Sequence, residues 1–484
     1  RFTTPVNWRI DEGQQWAVIG PNGAGKTLIA DIMQRKFAFK EGEVVFSGDG
    51  KVSDFIKSIA FKDIYSLADC RNSYYQQRWH STETEEMPIV EELLKEYAGS
   101  DNLAKILTLF GIEDLLPKRL IFLSSGELRK FLIVRTLLSR PRVLILDNPF
   151  IGLDAPSRDL LVEMLGQMTK LNGVQVVLLL SNPNDIPAMI THVLPIHDRT
   201  CLPPLTREEF MSDTELIARL FPTEGIHACE EVGKVRLPVD MNKIASLHEV
   251  TLRMEHVKIR YGSRTILKDL DWEIKNGEKW ALFGPNGAGK STTLKMLTGM
   301  MKPTAGKIYF DGKLLDRKDL SKIGALIENP PIYENLSARE NLKVRQLLLG
   351  TDENRIDEVL QIVSLTNTGK KKAGQFSLGM KQRLGIAMAL LGEPELLILD
   401  EPTNGLDPIG IEELRELIRS FPEQGITVIL SSHILSEVQL LADKVGIISG
   451  GILGYEGALK QGDNLEDLFM NVVRKNQKAG EIHG

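Results

Sequence analysis

The stretch GPNGAGKT at residues 20–27 returns as GPNGAGKS at residues 284–291, an offset of 284 − 20 = 264. Both copies satisfy the spacing GxxxxGK[ST], through Gly20, Gly25, Lys26 and Thr27 in one and Gly284, Gly289, Lys290 and Ser291 in the other. An apolar run suited to a buried strand precedes each (WAVIG, WALFG), and a helical pattern follows (TLIADIMQ, STTLKMLTG). In that context the glycines let the backbone wrap closely enough for its N–H groups to surround phosphates, while the helix dipole and the lysine oppose their charge. The hydroxyl of Thr27 or Ser291 is placed to reach Mg²⁺. Two nucleotide cradles are therefore predicted: Gly20, Pro21, Asn22, Gly23, Ala24, Gly25, Lys26, Thr27 and Leu28, and Gly284, Pro285, Asn286, Gly287, Ala288, Gly289, Lys290, Ser291 and Thr292.

The repeat reaches well beyond the cradles. VNWRIDEGQQWAVIG at residues 6–20 follows the same pattern as LDWEIKNGEKWALFG at residues 270–284. LSSGELRK from Leu123 pairs with FSLGMKQR from Phe376, and Asp147 with Asp400, at one shared offset (376 − 123 = 253 and 400 − 147 = 253). Identical motif order means two paralogous domains in tandem, as expected for 484 residues, which exceed what one core usually organises. The first domain is expected over residues 1–212, ending after the proline turn CLPPL, with a connector over 213–252 long enough to let one domain face the other. The second is expected over 253–455, followed by a tail over 456–484 whose NLEDLFMNVVRKNQKAG has helical apolar spacing. The chain starts at Arg1 on a strand-like pattern, so a preceding N-terminal stretch is expected.

Composition narrows the function classes. With 42% hydrophobic and 26% charged residues and a net charge of −6, the chain reads as a soluble protein without the basic domain of a dedicated nucleic-acid binder. Cys70, Cys201 and Cys229 are scattered and odd in number, which removes a disulfide framework and a four-thiolate zinc site and suits a reducing cytoplasm. His227 stands beside Cys229 without further ligands nearby in sequence. No uninterrupted apolar run reaches about 18 residues and no signal peptide is evident, so the chain is not expected to cross a membrane by itself.

RVLILD and LLILD are continuous apolar runs ending in aspartate, the pattern of central parallel strands whose carboxylate emerges at the edge where ligands bind. Asp147 and Asp400 are expected to share Mg²⁺ with Thr27 and Ser291. The residue after Asp400 is Glu401, free to polarise an attacking water; the residue after Asp147 is Asn148, which cannot accept a proton. Loss of a general base typically lowers rate by about 10²- to 10⁴-fold. A second titratable group separates the halves: TVILSSH delivers His433, and aligning it with VVLLLSN sets Asn182 at the matching place. The first site is thus expected to hold nucleotide and hydrolyse it poorly, with Lys290, Glu401 and His433 catalytic in the second.

Taken together, two cradles, two acidic strands, LSSGE and FSLGM before helices, and GLD after each acidic strand make the chain resemble a tandem ATP-binding-cassette (ABC) ATPase over essentially its whole length. The resemblance implies an α/β fold of two P-loop NTPase domains in tandem. Each would have a parallel core sheet, an antiparallel subdomain and a helical subdomain. Members pair cassettes head to tail, so Ser125, Gly126 and Glu127 would close over nucleotide on Lys290, and Ser377, Leu378 and Gly379 over nucleotide on Lys26. Ser124 and Ser377 suit helix caps, which aim free N–H groups at a phosphate. Tyr261 resembles the aromatic that stacks on adenine, and Asp154 and Asp407 the loop that communicates between sites. Gln76, with Gln77 as the alternative, matches the glutamine that touches Mg²⁺, and Glu328 stands at that place in the second half. ATP and Mg²⁺ are the implied ligands.

IENPPIYENLSARENL, FSLGMKQRLGIAMALL, EPTNGLDPIGI and SSHILSEVQLLAD resemble ATPases of bacitracin- and lantibiotic-type peptide exporters. The first half, together with IRYGSRTILKDLDWEIKNGEKWAL, is similar instead to tandem ATPases associated with molybdenum transport, so the chain reads as a junction of two subfamilies near residues 280–293. The function implied is ATP hydrolysis that powers a separate transmembrane transporter, with the chain peripheral on the cytoplasmic membrane's inner face. Its cassettes would pair within one chain or as a homodimer. The competing reading is a soluble tandem cassette acting on ribosomes or nucleic acid. Against it stand the short, non-basic connector and the missing glutamate. YYQQRWHS, which mixes aromatics with Arg78, is read as a loop at the cassette interface.

Overall fold

The computed structural model describes residues 2–37, 41–46, 51–61, 88–97, 103–120, 123, 125–153, 155–221, 250–261, 264–328, 330–459 and 465–481. The chain divides into two compact units between Thr223 and Glu224.

In the first unit a parallel sheet carries the strands Ile56–Ala60, Val143–Asp147, Gln175–Leu180, Trp16–Ile19 and His192–His197 in that spatial order. Thr200–Cys201 and Leu205–Thr206 pair antiparallel with the last of these. The second unit repeats the plan with Ile323–Leu326, Leu396–Asp400, Thr427–Ser432, Lys279–Phe283 and Lys444–Ser449 in parallel, and Ile452–Ala458 antiparallel at the edge. The central strands are apolar throughout because both their faces are covered. Along WAVI the side chains alternate between two cores, Ala17 and Ile19 on one face, Trp16 and Val18 on the other. Lys279–Phe283 does the same with Ala281 and Phe283 against Trp280 and Leu282.

A separate antiparallel sheet is described in the second unit, in the order Lys313–Leu314, Ala305–Phe310, Val250–Tyr261 and Arg264–Lys275. Among the described residues the first unit has no such sheet. Helices Ala338–Leu349, Asn354–Ile362 and Leu378–Leu390 form the second unit's helical part, and Leu103–Phe110 and Ser125–Leu138 belong to the first unit's.

The boundaries differ from those expected. Thr214–Leu220 is a helix capped by Asp213, and Leu220 and Phe221 are buried in the first core, so the unit runs past residue 212. Strand Val250–Tyr261 begins before residue 253, and Ile452–Ala458 crosses the expected break at 455. The tail is helical over Leu465–Glu481, and Leu465 and Val472 bury against the second core. Among the described residues no helix is long and apolar enough to cross a membrane.

Candidate functional site

The order of strands decides what meets at each sheet edge. In both units the strand leading to the cradle and the strand ending in aspartate are separated by one parallel strand, Gln175–Leu180 or Thr427–Ser432. Three carboxyl ends therefore converge, as ligand sites in such sheets require.

The two cradles are near copies. Gly25 and Gly289 adopt left-handed φ values of 111° and 108° as each turn enters its helix, Lys26–Met33 or Lys290–Leu297. A Cβ on Gly20 would lie 2.1 Å from the Ile196 carbonyl oxygen, and one on Gly284 2.2 Å from that of Ile448, so neither tolerates a side chain. Lys26 Nζ donates to the carbonyls of Gly20 (2.7 Å) and Pro21 (2.9 Å). Lys290 Nζ donates likewise to Gly284 (2.7 Å) and Pro285 (3.3 Å). Thr27 Oγ1 donates to Asp147 Oδ2 at 2.9 Å, and Ser291 Oγ to Asp400 Oδ1 at 3.2 Å. A hydroxyl facing a carboxylate across a phosphate-binding turn is a hard-oxygen donor set that fits Mg²⁺.

The units part company one residue later. Asn148 and Glu401 both take left-handed backbone, with φ of 50° and 46°. Asparagine accepts that conformation more readily than glutamate, so the strain at Glu401 is sustained by its surroundings. Glu401 Oε1 lies 3.5 Å from Lys290 Nζ, and Oε2 lies 2.8 Å from His433 Nδ1, close but off the line of a ring N–H hydrogen bond. Burial alone would push the Glu401 carboxyl up; His433 and Lys290 outweigh it and hold the group below the usual carboxylate range. Asp400 is pushed above its usual value by burial, against hydrogen bonds from Ser431 and Ser291.

In the first unit Asn148 Nδ2 donates to Asp147 Oδ1 at 3.0 Å, and Ser181 Oγ donates to Asn148 Oδ1 at 3.0 Å. That serine corrects the expected alignment. Trp16 pairs with Val177 and Trp280 with Ile429, so the middle strands are related by 429 − 177 = 252 and not by 433 − 182 = 251. The counterpart of His433 is Ser181. Asn182 instead caps the turn Pro183–Asp185, its side chain accepting from the Asn184 N–H at 3.0 Å.

Other expected positions fall as follows. Ser377 caps helix Leu378–Leu390, accepting from the Met380 N–H at 3.2 Å, and Gly379 lies in the first turn. Gly126 and Glu127 open helix Ser125–Leu138, with Glu127 accepting from Lys118 at 2.8 Å. Glu328 has a left-handed φ of 61° and receives Lys295 Nζ at 2.6 Å. Asp407 caps helix Pro408–Ser420 through the Gly410 N–H at 2.9 Å. Gln76, Gln77, Ser124, Asp154, Cys70, His227, Cys229, YYQQRWHS and residues 222–249 of the connector lie outside the described residues, as do the side chains of Ser125 and Tyr261.

Two site residues escaped the sequence reading. Ser431 Oγ donates to Asp400 Oδ1 at 2.5 Å and accepts from the Glu401 N–H at 2.9 Å, and Ser181 is described above. The available signal was a polar pair closing an otherwise apolar strand.

The ABC transporter family model matches residues 3–151 and 267–404. The lantibiotic transport ATP-binding protein SrtF of Streptococcus pyogenes is 53% identical over 222 residues, 46% of this chain and 97% of that protein. The bacitracin transport ATP-binding protein BcrA of Bacillus licheniformis is 54% identical over 228 residues, 46% of this chain and 71% of that protein. A solved structure of RNase-L inhibitor superposes with a TM-score of 0.59 at 18% identity, covering 95% of this chain and 89% of that one, a likeness of fold. A chain that carries this family twice, each time with its own cradle beside its own acidic strand, belongs to the ABC transporter family as a tandem ATPase.

Proposed function

We propose that the chain hydrolyses ATP in its second site to drive a separate membrane transporter, an exporter by its likeness to lantibiotic and bacitracin transport ATP-binding proteins. The observation that carries the reading is Glu401, held between Lys290 and His433 beside the Ser291–Asp400 pair. The likeness of the first half to molybdenum-transport ATPases rests on its motifs alone.

Lys290, resting on the Gly284 and Pro285 carbonyls, is placed to turn onto the β- and γ-phosphates of ATP. Ser291 and Asp400 would hold Mg²⁺, with Glu328 nearby, and Thr27 and Asp147 would do so in the first site. When bound, the ion neutralises phosphate charge. Glu401 takes the proton of a water whose oxygen attacks the γ-phosphorus as the bond to the β-phosphate oxygen breaks, giving ADP and phosphate. Lys290 and His433 keep that carboxylate ionised and aimed. In the first site Asn148 has no proton-accepting oxygen of comparable basicity, so that site binds ATP and turns it over slowly.

By the family's rule each nucleotide would be closed over by the signature segment of another cassette, residues 125–127 or 377–379 being the segments that match in this chain. Steady-state Mg²⁺-ATPase activity of the purified chain, lost in Glu401→Gln with nucleotide binding retained, tests the site. Co-fractionation with membranes and not with ribosomes tests the transport role.

A further inference from the structure

The described residues include a buried carboxylate that the chemistry above leaves unused. Glu437 sits on helix Leu435–Leu441 at 6% exposure, and burial pushes its carboxyl above the usual range. Its Oε2 accepts two hydroxyl hydrogen bonds, one from Thr403 Oγ1 and one from Ser432 Oγ at 3.4 Å. Thr403 and Ser432 are themselves only 4% and 3% exposed. Thr403 lies two residues after Glu401, and Ser432 immediately precedes His433. One carboxylate oxygen thus joins the loop carrying the base to the strand end carrying its histidine.

We propose that Glu437 is a positioning residue for hydrolysis, fixing the Glu401–His433 geometry by tying Thr403 to Ser432. The inference rests on the reading that Glu401 and His433 perform the chemistry. A left-handed glutamate persists only when its surroundings over-determine it, and Glu401 is pinned from two sides. Ser431 receives its N–H on one, and the Thr403–Glu437 link restrains the following residues on the other. Shifts of about 1 Å in such a pair are enough to lower rates by about 10²-fold.

The first unit provides an internal comparison. The position of Thr403 is taken by Phe150 (403 − 253 = 150), a buried apolar residue. The strand offset carried forward puts Asp185 at the place of Glu437 (437 − 252 = 185), and that acid pairs with Arg158 at 2.9 Å. Arg158 in turn lies 5.4 Å from the centre of the Phe150 ring. The unit that lacks the base and the histidine also lacks the tie between them.

The test compares Glu437→Ala, Glu437→Gln and Thr403→Val with the parent and Glu401→Gln, in the full chain. Steady-state kcat, equilibrium binding of ATP in the presence of Mg²⁺, and thermal unfolding are read for each. Expected are a fall in kcat of about tenfold or more for Glu437→Ala, a smaller fall for Thr403→Val, and near-parent kcat for Glu437→Gln, which keeps an accepting oxygen. ATP affinity should stay within about twofold throughout, since no phosphate contact is altered. Should Glu437→Ala fold poorly, Thr403→Val decides, because it removes one hydroxyl at constant shape. The inference is overturned if Glu401→Gln abolishes turnover while Glu437→Ala and Thr403→Val leave kcat unchanged. It is also overturned if kcat, affinity and thermal stability fall together by similar factors. Persisting turnover in Glu401→Gln would overturn the underlying site reading itself.

Discussion

Replacing Glu401 with glutamine removes the proposed proton acceptor at nearly constant shape, and kcat should fall by about 10²- to 10⁴-fold, about 3–5 kcal/mol of activation free energy. In that background any turnover comes from the first site, which makes repair of that site measurable. Asn148→Glu alone should recover little. The new carboxylate forfeits the Asn148 hydrogen bond to Asp147 Oδ1 at 3.0 Å and sets two like charges in its place. At an effective dielectric of about 20, like charges about 4 Å apart repel by about 4 kcal/mol, enough to protonate one carboxyl at neutral pH. The second unit offsets this through His433 and Lys290; the first has Lys26 in the place of Lys290, but Ser181 offers Asn148 only a neutral hydroxyl where His433 stands. The expected series, by phosphate release under saturating Mg-ATP, is therefore less than about tenfold gain for Asn148→Glu. Adding Ser181→His should give at least about tenfold more. Full recovery by Asn148→Glu alone, or a better result with Asn182→His than with Ser181→His, would refute both the electrostatic reasoning and the corrected register.

Three further outcomes follow from particular contacts. Gly284→Ala places a Cβ 2.2 Å from the Ile448 carbonyl oxygen, so a loss of about 1–3 kcal/mol in chemical denaturation and loss of ATP binding at the second cradle are expected. Ser431→Ala removes the hydroxyl shared by Asp400 Oδ1 and the Glu401 N–H. kcat should drop by about tenfold, with a smaller change in ATP affinity. Glu340 closes a capping box with Ser337 on helix Ala338–Leu349, and the Ser337 N–H, its hydroxyl and then Lys372 hold its carboxyl down to about 2. A carboxyl lowered in the folded state stabilises it fully above the ordinary value near 4.5 and loses that contribution as pH falls towards about 2. Urea midpoints should decline over that window in the parent and more shallowly in Glu340→Gln.

Both cradles and both acidic strands were legible because each announces itself twice, by a spaced glycine–lysine pattern and by an apolar run that only a strand covered on both faces sustains. The one-residue error at His433 has the same origin. QVVLLL and TVILSS are buried along almost their whole length, so neither carries the polar–apolar alternation that would fix a register. The hydrogen-bonded partners of Trp16 and Trp280, and of Asp147 and Asp400, supply it. The late end of the first unit was hidden for another reason: Asp213 reads as loop until its cap on the Leu216 N–H is seen, and Leu220 and Phe221 then turn inward. The roles of Ser431 and Glu437 were hidden because their partners lie 31 and 34 residues away, at Asp400 and Thr403, although the polar pair closing TVILSS marked Ser431 itself.

What the two units keep and what they exchange sorts by chemistry. The lysine-to-carbonyl contacts agree at 2.7 Å, and the cradle hydroxyl meets the strand aspartate in both. The left-handed turn after that aspartate is retained as well, at φ of 50° and 46°. The groups proposed to take or steer a proton are the ones that differ: glutamate against asparagine, histidine against serine, and the Thr403–Glu437 tie against Phe150 and the Asp185–Arg158 pair. Drift that merely inactivated a spare site would have had no reason to preserve Lys26, a buried charge that costs stability unless it meets an anion. A site kept for binding has that reason, since a ligand at 100 times its Kd stabilises the bound form by about 2.7 kcal/mol whether or not it is consumed. On the function proposed above, the first site is one kept for binding nucleotide. Lys26→Ala should lower ATP-dependent stabilisation of the chain and, through it, turnover at Glu401, without altering any group that touches the second site's phosphates.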